Sequence, residues 1–212
     1  MLNEDLNNIG GKINESLSTK NEAREIALPL ARKSIRYCAN AIRAIHRAEY
    51  DKAGDLLTQS HACLQEMKTA LKDHPGLMHT GYVNDAQKEY TEGKITLALV
   101  TNAPIPDPDE LGIEYSSYLN GMAEAASEMR RQMLDRMREG NFELAESQLA
   151  SMDEIYNLLV TIDFPDALTG GLRRTTDQLR GVLEKSRGDL TMALVQSKLE
   201  RKLISFNNQL KT

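Results

Sequence analysis

The 212-residue sequence contains no tryptophan, and Phe, Trp and Tyr together supply only 5% of it. Sheets draw on aromatic and β-branched pairs across strands, and no alternating apolar–polar run of any length is present, so a β fold is excluded. No apolar run approaches the roughly 18 residues that cross a bilayer. The opening stretch MLNEDLNNIG has neither the basic nor the apolar region of a signal peptide, and a cytoplasmic location is expected. Cysteine is limited to Cys38 and Cys63, both within apolar-periodic helical segments, where reduced and buried thiols are expected and a disulfide framework is not. The sequence also lacks G-x-S-x-G, Walker, G-x-G-x-x-G, C-x-x-C and H-E-x-x-H patterns. His46, His61, His74 and His79 show no ligand spacing. His46, on the flank of an apolar stripe, reads as a partly buried and satisfied side chain rather than a zinc ligand.

Positive charge is also short. Against 31 Asp and Glu stand 26 Lys and Arg, a formal net charge of −5, so nucleic-acid binding would have to come from a local basic patch. What is present is a globular balance of 41% apolar and 27% charged residues, carried almost wholly by helical periodicity. Length and composition fit one domain over residues 1–212.

Leu2, Leu6, Ile9, Ile13 and Leu17 recur at threes and fours and predict a first helix, weakened at Gly10 and Gly11. Ser18 or Thr19, with Glu22 three residues after Thr19, suits the cap of a second helix whose stripe runs through Ile35, Cys38, Ile42 and Ile45, with Pro29 bending its first part. A third helix is predicted over 50–72, with Ala53, Leu57, Ser60, Leu64, Met67 and Leu71 inward, ending at His74-Pro75-Gly76. A fourth spans 82–100. The segment 102–108 holds three prolines and reads as the most mobile loop. A fifth helix carries Tyr115, Met122, Ala126, Met129 and Met133 and closes at Gly140-Asn141. Its Met- and Tyr-containing stripe is a candidate partner surface. Further helices cover 142–161, 165–185 and 189–210, with Asp163 and Pro165 at cap and first-turn positions and a soft spot at Gly170-Gly171. The fold class is all-α, an antiparallel bundle of about seven helices.

Two carboxylate pairs stand out. Glu89 and Glu92 are three apart, and Glu124 and Glu128 four apart, so each pair projects from one helix face and can chelate one ion. Hard oxygen ligands suit Mg or Mn, and a carboxylate-held Mg ion activates water and steadies charge on a phosphate. The competing reading is a solvated helix face, which fits Glu124 and Glu128 because they oppose the Tyr115 and Met122 stripe. Glu89 flanks the Val83, Ala86, Tyr90 and Leu97 stripe and can lie between helices. Arg32, Arg36, Arg43 and Arg47, spaced four, seven and four, fall in a narrow wedge away from the core stripe. They form either a row matching a phosphate backbone or a solvating row. Arg130, Arg131, Arg173 and Arg174 are less ordered additions.

The run REIALPLARKSIRYCANAIRAIHR, from Arg24 to Arg47, resembles the first long helix of the translin and Trax family, matching at Ser34, Ile42, His46 and Arg47. QKEYTE, from Gln87 to Glu92, is similar to the Trax segment with a Glu-x-x-Glu pair, onto which Glu89 and Glu92 fall. YLNGMAEAASEMRR, from Tyr118 to Arg131, is similar to the segment with the further acidic residues. Glu124 and Glu128 take those places, although relatives have Asp where Glu124 stands and Gly where Ser127 stands. DFPDALTGGLRRTTDQLR, from Asp163 to Arg180, resembles the C-terminal part of archaeal-type members. The resemblance implies an all-α chain assembling into a hollow homo-oligomer, an octamer, that binds single-stranded RNA or DNA. In Trax-like members it implies a Mg- or Mn-dependent endoribonuclease, with Glu89, Glu92, Glu124 and Glu128 as catalytic metal ligands and Arg32, Arg36, Arg43, Arg47, Arg130 and Arg131 on the nucleic acid. Translin-like members bind without cutting. A helical adaptor whose charged faces only solvate it is the remaining reading.

Overall fold

The computed structural model describes residues 2–210, which contain helices and no strand. They form two compact units, Met1–Tyr118 and Leu119–Thr212. None of these helices is long and apolar enough to cross a membrane.

The first unit is built on α1 (Leu2–His46), α2 (Tyr50–Leu71) and α4 (Gly81–Thr101), which pack against one another, with single-turn helices α3 (Pro75–Met78) and α5 (Pro108–Leu111) between the longer ones. From Ala23 onward α1 buries Ala23, Ala27, Ala31, Ser34, Cys38, Ala41, Ala44 and Ile45. Alanines at threes and fours let the backbones approach closely, so the core face is this small-residue stripe, while Ile35 and Ile42 sit half-exposed beside it. Its partner face on α2 is Ala53, Leu57, Ser60, Cys63, Leu64, Met67 and Leu71, every predicted inward residue among them. The seam holds a small polar group in which Ser34 and Ser60 hydroxyls bond at 2.8 Å and Cys38 lies 3.0 Å from Ser60. Sharing hydrogens among three small side chains satisfies them without opening the interface.

The predicted break near residue 18 is absent: α1 is one helix of 45 residues that runs through Gly10, Gly11 and Pro29. Two glycines cost about 1 kcal/mol each relative to alanine, too little to end a helix with favourable residues on both sides. The Thr19 hydroxyl donates back to the Ser16 carbonyl at 3.1 Å instead of capping, a bond that Thr makes inside helices.

The proline-rich segment is tied down. Asp107 caps α5 in a capping box with Glu110, and the Tyr118 hydroxyl donates to the Pro106 carbonyl at 2.7 Å. Its length has a purpose. α4 rises about 31 Å, and residues 102–114, part extended and part helical, span about 34 Å. The chain therefore returns to the start of α4 before α6 (Tyr115–Arg138) begins. Glu114 N donates to Gln87 Oε1 at 3.1 Å, and the Ser117 hydroxyl donates to the Asn84 carbonyl at 3.2 Å, so the first turn of α6 starts beside the first turns of α4.

In the second unit the remainder of α6 is followed by α7 (Phe142–Leu159), α8 (Asp166–Thr169) and α9 (Leu172–Gln209). Met133, Ala145 and Leu190 make a buried cluster with Leu134, Met137, Phe142, Leu149 and Leu194 packed on it. Asn141 caps α7 by accepting from Leu144 N at 3.2 Å. Asn120 donates to the Thr169 carbonyl at 2.8 Å and accepts from the Thr175 hydroxyl at 2.6 Å, fixing α8 and the start of α9 to α6. Two expectations are corrected here. The chain does not break near Gly188, and α9 is one helix of 38 residues. Met122, Ala126, Met129 and Met133 are buried within the chain, so the fifth helix's stripe is core and no partner surface. Tyr115 is 62% exposed and donates to Asp109 at 3.2 Å, outside that stripe.

Candidate metal centre

α4 is buried along most of its length: Val83, Ala86, Gln87, Tyr90, Thr91, Gly93, Ile95, Thr96 and Ala98 are covered. Tyr90 packs its ring 5.4 Å from that of His61 on α2, and the Thr91 hydroxyl donates to the Gln87 carbonyl at 3.0 Å. These residues fix the rotation of α4 and leave Glu89 and Glu92, one turn apart, half-buried at the edge of the covered face. A carboxylate stranded at such an edge keeps part of its hydration while its neighbours lower the local dielectric. The charges are felt in the α1–α2 seam. Burial pushes the Cys38 thiol up to about 12, opposed by its hydrogen bond to Ser60 and reinforced by Glu89 and Glu92. Burial, with Cys38 adding to it, raises the Tyr90 hydroxyl to about 12.

Glu124 and Glu128 lie one turn apart on α6 and are half-buried, against the solvated face that their position opposite the Met122 stripe suggested. The reason is that α6 is covered on several sides, with Ser117, Asn120, Ala123, Ala125, Ala126 and Gln132 buried as well as the methionines. Glu89, Glu92 and Glu124 each offer one carboxylate oxygen, and these three atoms lie within 4.8 Å of one another. Glu128 is outside that group.

The arginine row is where periodicity put it. Arg32, Arg36, Arg43 and Arg47 are exposed on α1. Arg43 donates to Asn40 at 2.8 Å, and Arg47 pairs with Glu49 at 2.6 Å, which holds the Glu49 carboxyl down at about 2 through its bonds from Arg47 and Lys52. Arg130 is turned inward: it donates to the Ser186 hydroxyl at 2.9 Å and to Asp189 at 2.5 Å, and its side chain is 18% exposed. That makes it a clamp between α6 and α9. Arg131 is exposed. Arg173 pairs with Asp163 at 3.0 Å. Glu49 and Asp189, which occupy two of the six arginines, left no signal in the local pattern.

No family model matches the chain. Among curated proteins it is 30% identical over 189 residues to the Methanocaldococcus jannaschii protein MJ0175, covering 88% of this chain and 83% of that one. Among solved structures it superposes on AfC3PO in complex with duplex RNA at a TM-score of 0.81 and 28% identity, covering 88% of this chain and 96% of that one. AfC3PO alone gives 0.79 at 28% identity, with 88% and 97% covered. This likeness makes the chain translin/Trax-like. Apo-NeC3PO, at a TM-score of 0.75 and 20% identity over 88% and 97% of the two chains, shares the fold.

A translin/Trax-like chain with this acidic cluster has a donor set that fits a hard divalent cation. Mg–oxygen bonds of about 2.1 Å place ligand oxygens about 3 to 4.2 Å apart, and the three carboxylate oxygens, within 4.8 Å of one another, lie close to that spacing. The Glu124 side chain has one more torsion than an aspartate would have with which to close. Ser127 directs its hydroxyl to the Ala123 carbonyl at 3.0 Å.

Proposed function

We propose that this protein is an RNA-binding, Mg- or Mn-dependent endoribonuclease of the translin/Trax type. The observation that carries the reading is the convergence of Glu89, Glu92 and Glu124 within 4.8 Å. Those three would hold the ion, with Glu128, one turn further on α6, available to accept from water around it. Bound there, the ion would lower the pKa of water and stabilise charge on the scissile phosphate.

The protein's own groups supply placement. Arg32, Arg36 and Arg43 are exposed in a row and match successive phosphates, while Arg47 is shared with Glu49. Arg131 is the second-unit candidate for strand contact, and Arg130 acts by holding α6 to α9. The relative solved with duplex RNA supports RNA as the polymer. Single strands are the substrate we expect, because splayed bases leave the phosphodiester accessible to a recessed site. The family likeness also supports a homo-oligomer, and an octamer is the assembly proposed.

A non-catalytic binder of the same fold is the second reading, favoured by Glu128 lying outside the three-carboxylate group. Mn binding measured by electron paramagnetic resonance separates the two. The nuclease reading expects one or two ions per chain in the wild type and loss of binding in Glu89→Gln/Glu124→Gln, at unchanged helicity. Equal Mn binding by both proteins overturns it.

A further inference from the structure

The glutamate-bearing helix carries one polar atom that its own chain leaves unanswered. At 100° per residue, Tyr82, Asp85, Glu89, Glu92, Thr96 and Val100 of α4 fall within a wedge of about 80°. On this face Asp85 is exposed, and Tyr82, Glu89, Glu92 and Val100 are half-buried. Thr96 alone among the six is fully covered, at 0% exposure, so the face passes into the interior one turn beyond Glu92. The Thr96 hydroxyl is buried there and makes no hydrogen bond. A threonine inside a helix ordinarily turns its hydroxyl back to a carbonyl of the preceding turn. On this same helix Thr91 donates to the Gln87 carbonyl at 3.0 Å and Thr101 to the Leu97 carbonyl at 2.7 Å. Thr96 does not, and its hydroxyl is turned away from its own backbone. A buried hydroxyl without a partner costs stability, and its retention points to a partner that comes from outside the chain.

Position on the helix says which partner. Glu92 and Thr96 are four apart, about 5–6 Å between Cβ atoms. Helical side chains lean toward the N-terminus, which carries that of Thr96 over the turn of Glu92. Glu92 is one of the three carboxylates whose oxygens lie within 4.8 Å of one another. A small hard cation takes six oxygens and gives up its water reluctantly, so three carboxylate oxygens leave places that water fills. Such water donates strongly and is fixed in place by acceptors around it. The side chains flanking Thr96 along α4, Ile95 and Leu97, are apolar and offer none. We infer that Thr96 is a positioning residue for the divalent ion, its hydroxyl accepting a hydrogen bond from water in the ion's shell on the Glu92 side. This rests on the divalent-ion reading of the proposed function and extends it to a neutral residue outside the acidic set.

The test compares Mn binding by electron paramagnetic resonance in the full-length wild type, Thr96→Val and Thr96→Ser, with thermal melts of all three in EDTA. Valine keeps the branched shape without the hydroxyl, and serine keeps the hydroxyl without the methyl. Losing an outer hydrogen-bond partner weakens ion binding about 10-fold or more, so Thr96→Val is expected to bind Mn about 10-fold more weakly and Thr96→Ser nearly as tightly as the wild type. In EDTA, Thr96→Val is expected to melt no lower than the wild type, because it removes a buried hydroxyl that had no partner. Three results overturn the inference: unchanged Mn affinity in Thr96→Val; equal losses in both variants, which would assign the effect to packing; or a Thr96→Val chain that melts below the wild type in EDTA, which would mean that the chain itself satisfies the hydroxyl. A wild type that binds no Mn removes the divalent-ion reading and this inference together. A wild type that binds Mn, loses it in Glu89→Gln/Glu124→Gln and keeps it undiminished in Thr96→Val removes this inference alone.

Discussion

Gly93 on α4 packs directly against Leu57 on α2, and replacing it by alanine tests how tightly the glutamate-bearing helix is held. A Cβ at this position would lie 2.6 Å from Leu57 Cδ2, about 1 Å inside ordinary carbon–carbon contact. Leu57 is 2% exposed, so it cannot swing into solvent, and overpacking of this kind costs about 1–3 kcal/mol. Alanine returns about 1 kcal/mol of helix propensity. The net expectation for Gly93→Ala is therefore a loss of about 1 kcal/mol, read by urea denaturation of the full chain. Leu57→Ala alone is expected to cost about 2–5 kcal/mol. Combined with Gly93→Ala it should cost about 1–2 kcal/mol less than the sum of the two, because the new methyl enters the space Leu57 vacates. Since Glu92 is the adjacent residue, Gly93→Ala also displaces a carboxylate and should weaken Mn binding, with Leu57→Ala restoring it. Stabilisation by about 1 kcal/mol with strictly additive effects would refute the reasoning, because that is how an open helical position behaves.

Other consequences are measurable in the same preparation. Divalent cation at 100 times its dissociation constant should stabilise the wild type by about 2.7 kcal/mol, and thermal melts of Glu89→Gln/Glu124→Gln should show no such gain. Arg36→Glu should lower RNA affinity and reduce the slope of log K against log salt by about 1, whereas Glu49→Ala, which releases Arg47, should raise affinity; filter binding across salt concentrations reads both. His61 is held below its ordinary pKa by burial and by Lys94. The unfolded chain therefore takes up this proton first, and stability is lost as pH falls below the unfolded value near 6.5. His61→Gln should flatten that part of an acid-denaturation profile. Cys38 and Cys63 are both buried, with burial raising each thiol. Neither should react with a thiol reagent at neutral pH until the chain is unfolded.

Sequence periodicity located α2 and α4 to within a residue or two, because their apolar stripes are long and end at His74-Pro75-Gly76 and the prolines after Asn102. It misplaced the interior of α1 and α9, where Gly10 and Gly11 weaken the pattern, Ser18 or Thr19 with Glu22 looks like a cap, and 185–189 looks like a connection. Propensity counts each glycine locally, whereas a helix end also needs a competing cap or turn, and none forms there. On α6 the Met122, Met129 and Met133 stripe was legible, but its burial inside the chain was not, since an apolar stripe looks the same whether it faces a core or a partner. The carboxylates divide in the same way. Spacing shows that Glu89 and Glu92 share a face; it does not show that residues 102–114 return the chain along α4, and that return is what starts α6 beside the first turn of α4. Arg130 illustrates the opposite failure, since its partner Asp189 is 59 residues away and no local pattern could assign it inward.

Cleavage of a 5′-labelled single-stranded RNA, followed in Mg and in EDTA with the wild type and Glu89→Gln/Glu124→Gln, tests the central claim most directly. The account predicts internal cuts by the wild type in Mg, none in EDTA, and none by the variant in either, with RNA binding by the variant retained. Equal cleavage in Mg and EDTA, or undiminished cleavage by the variant, would contradict it.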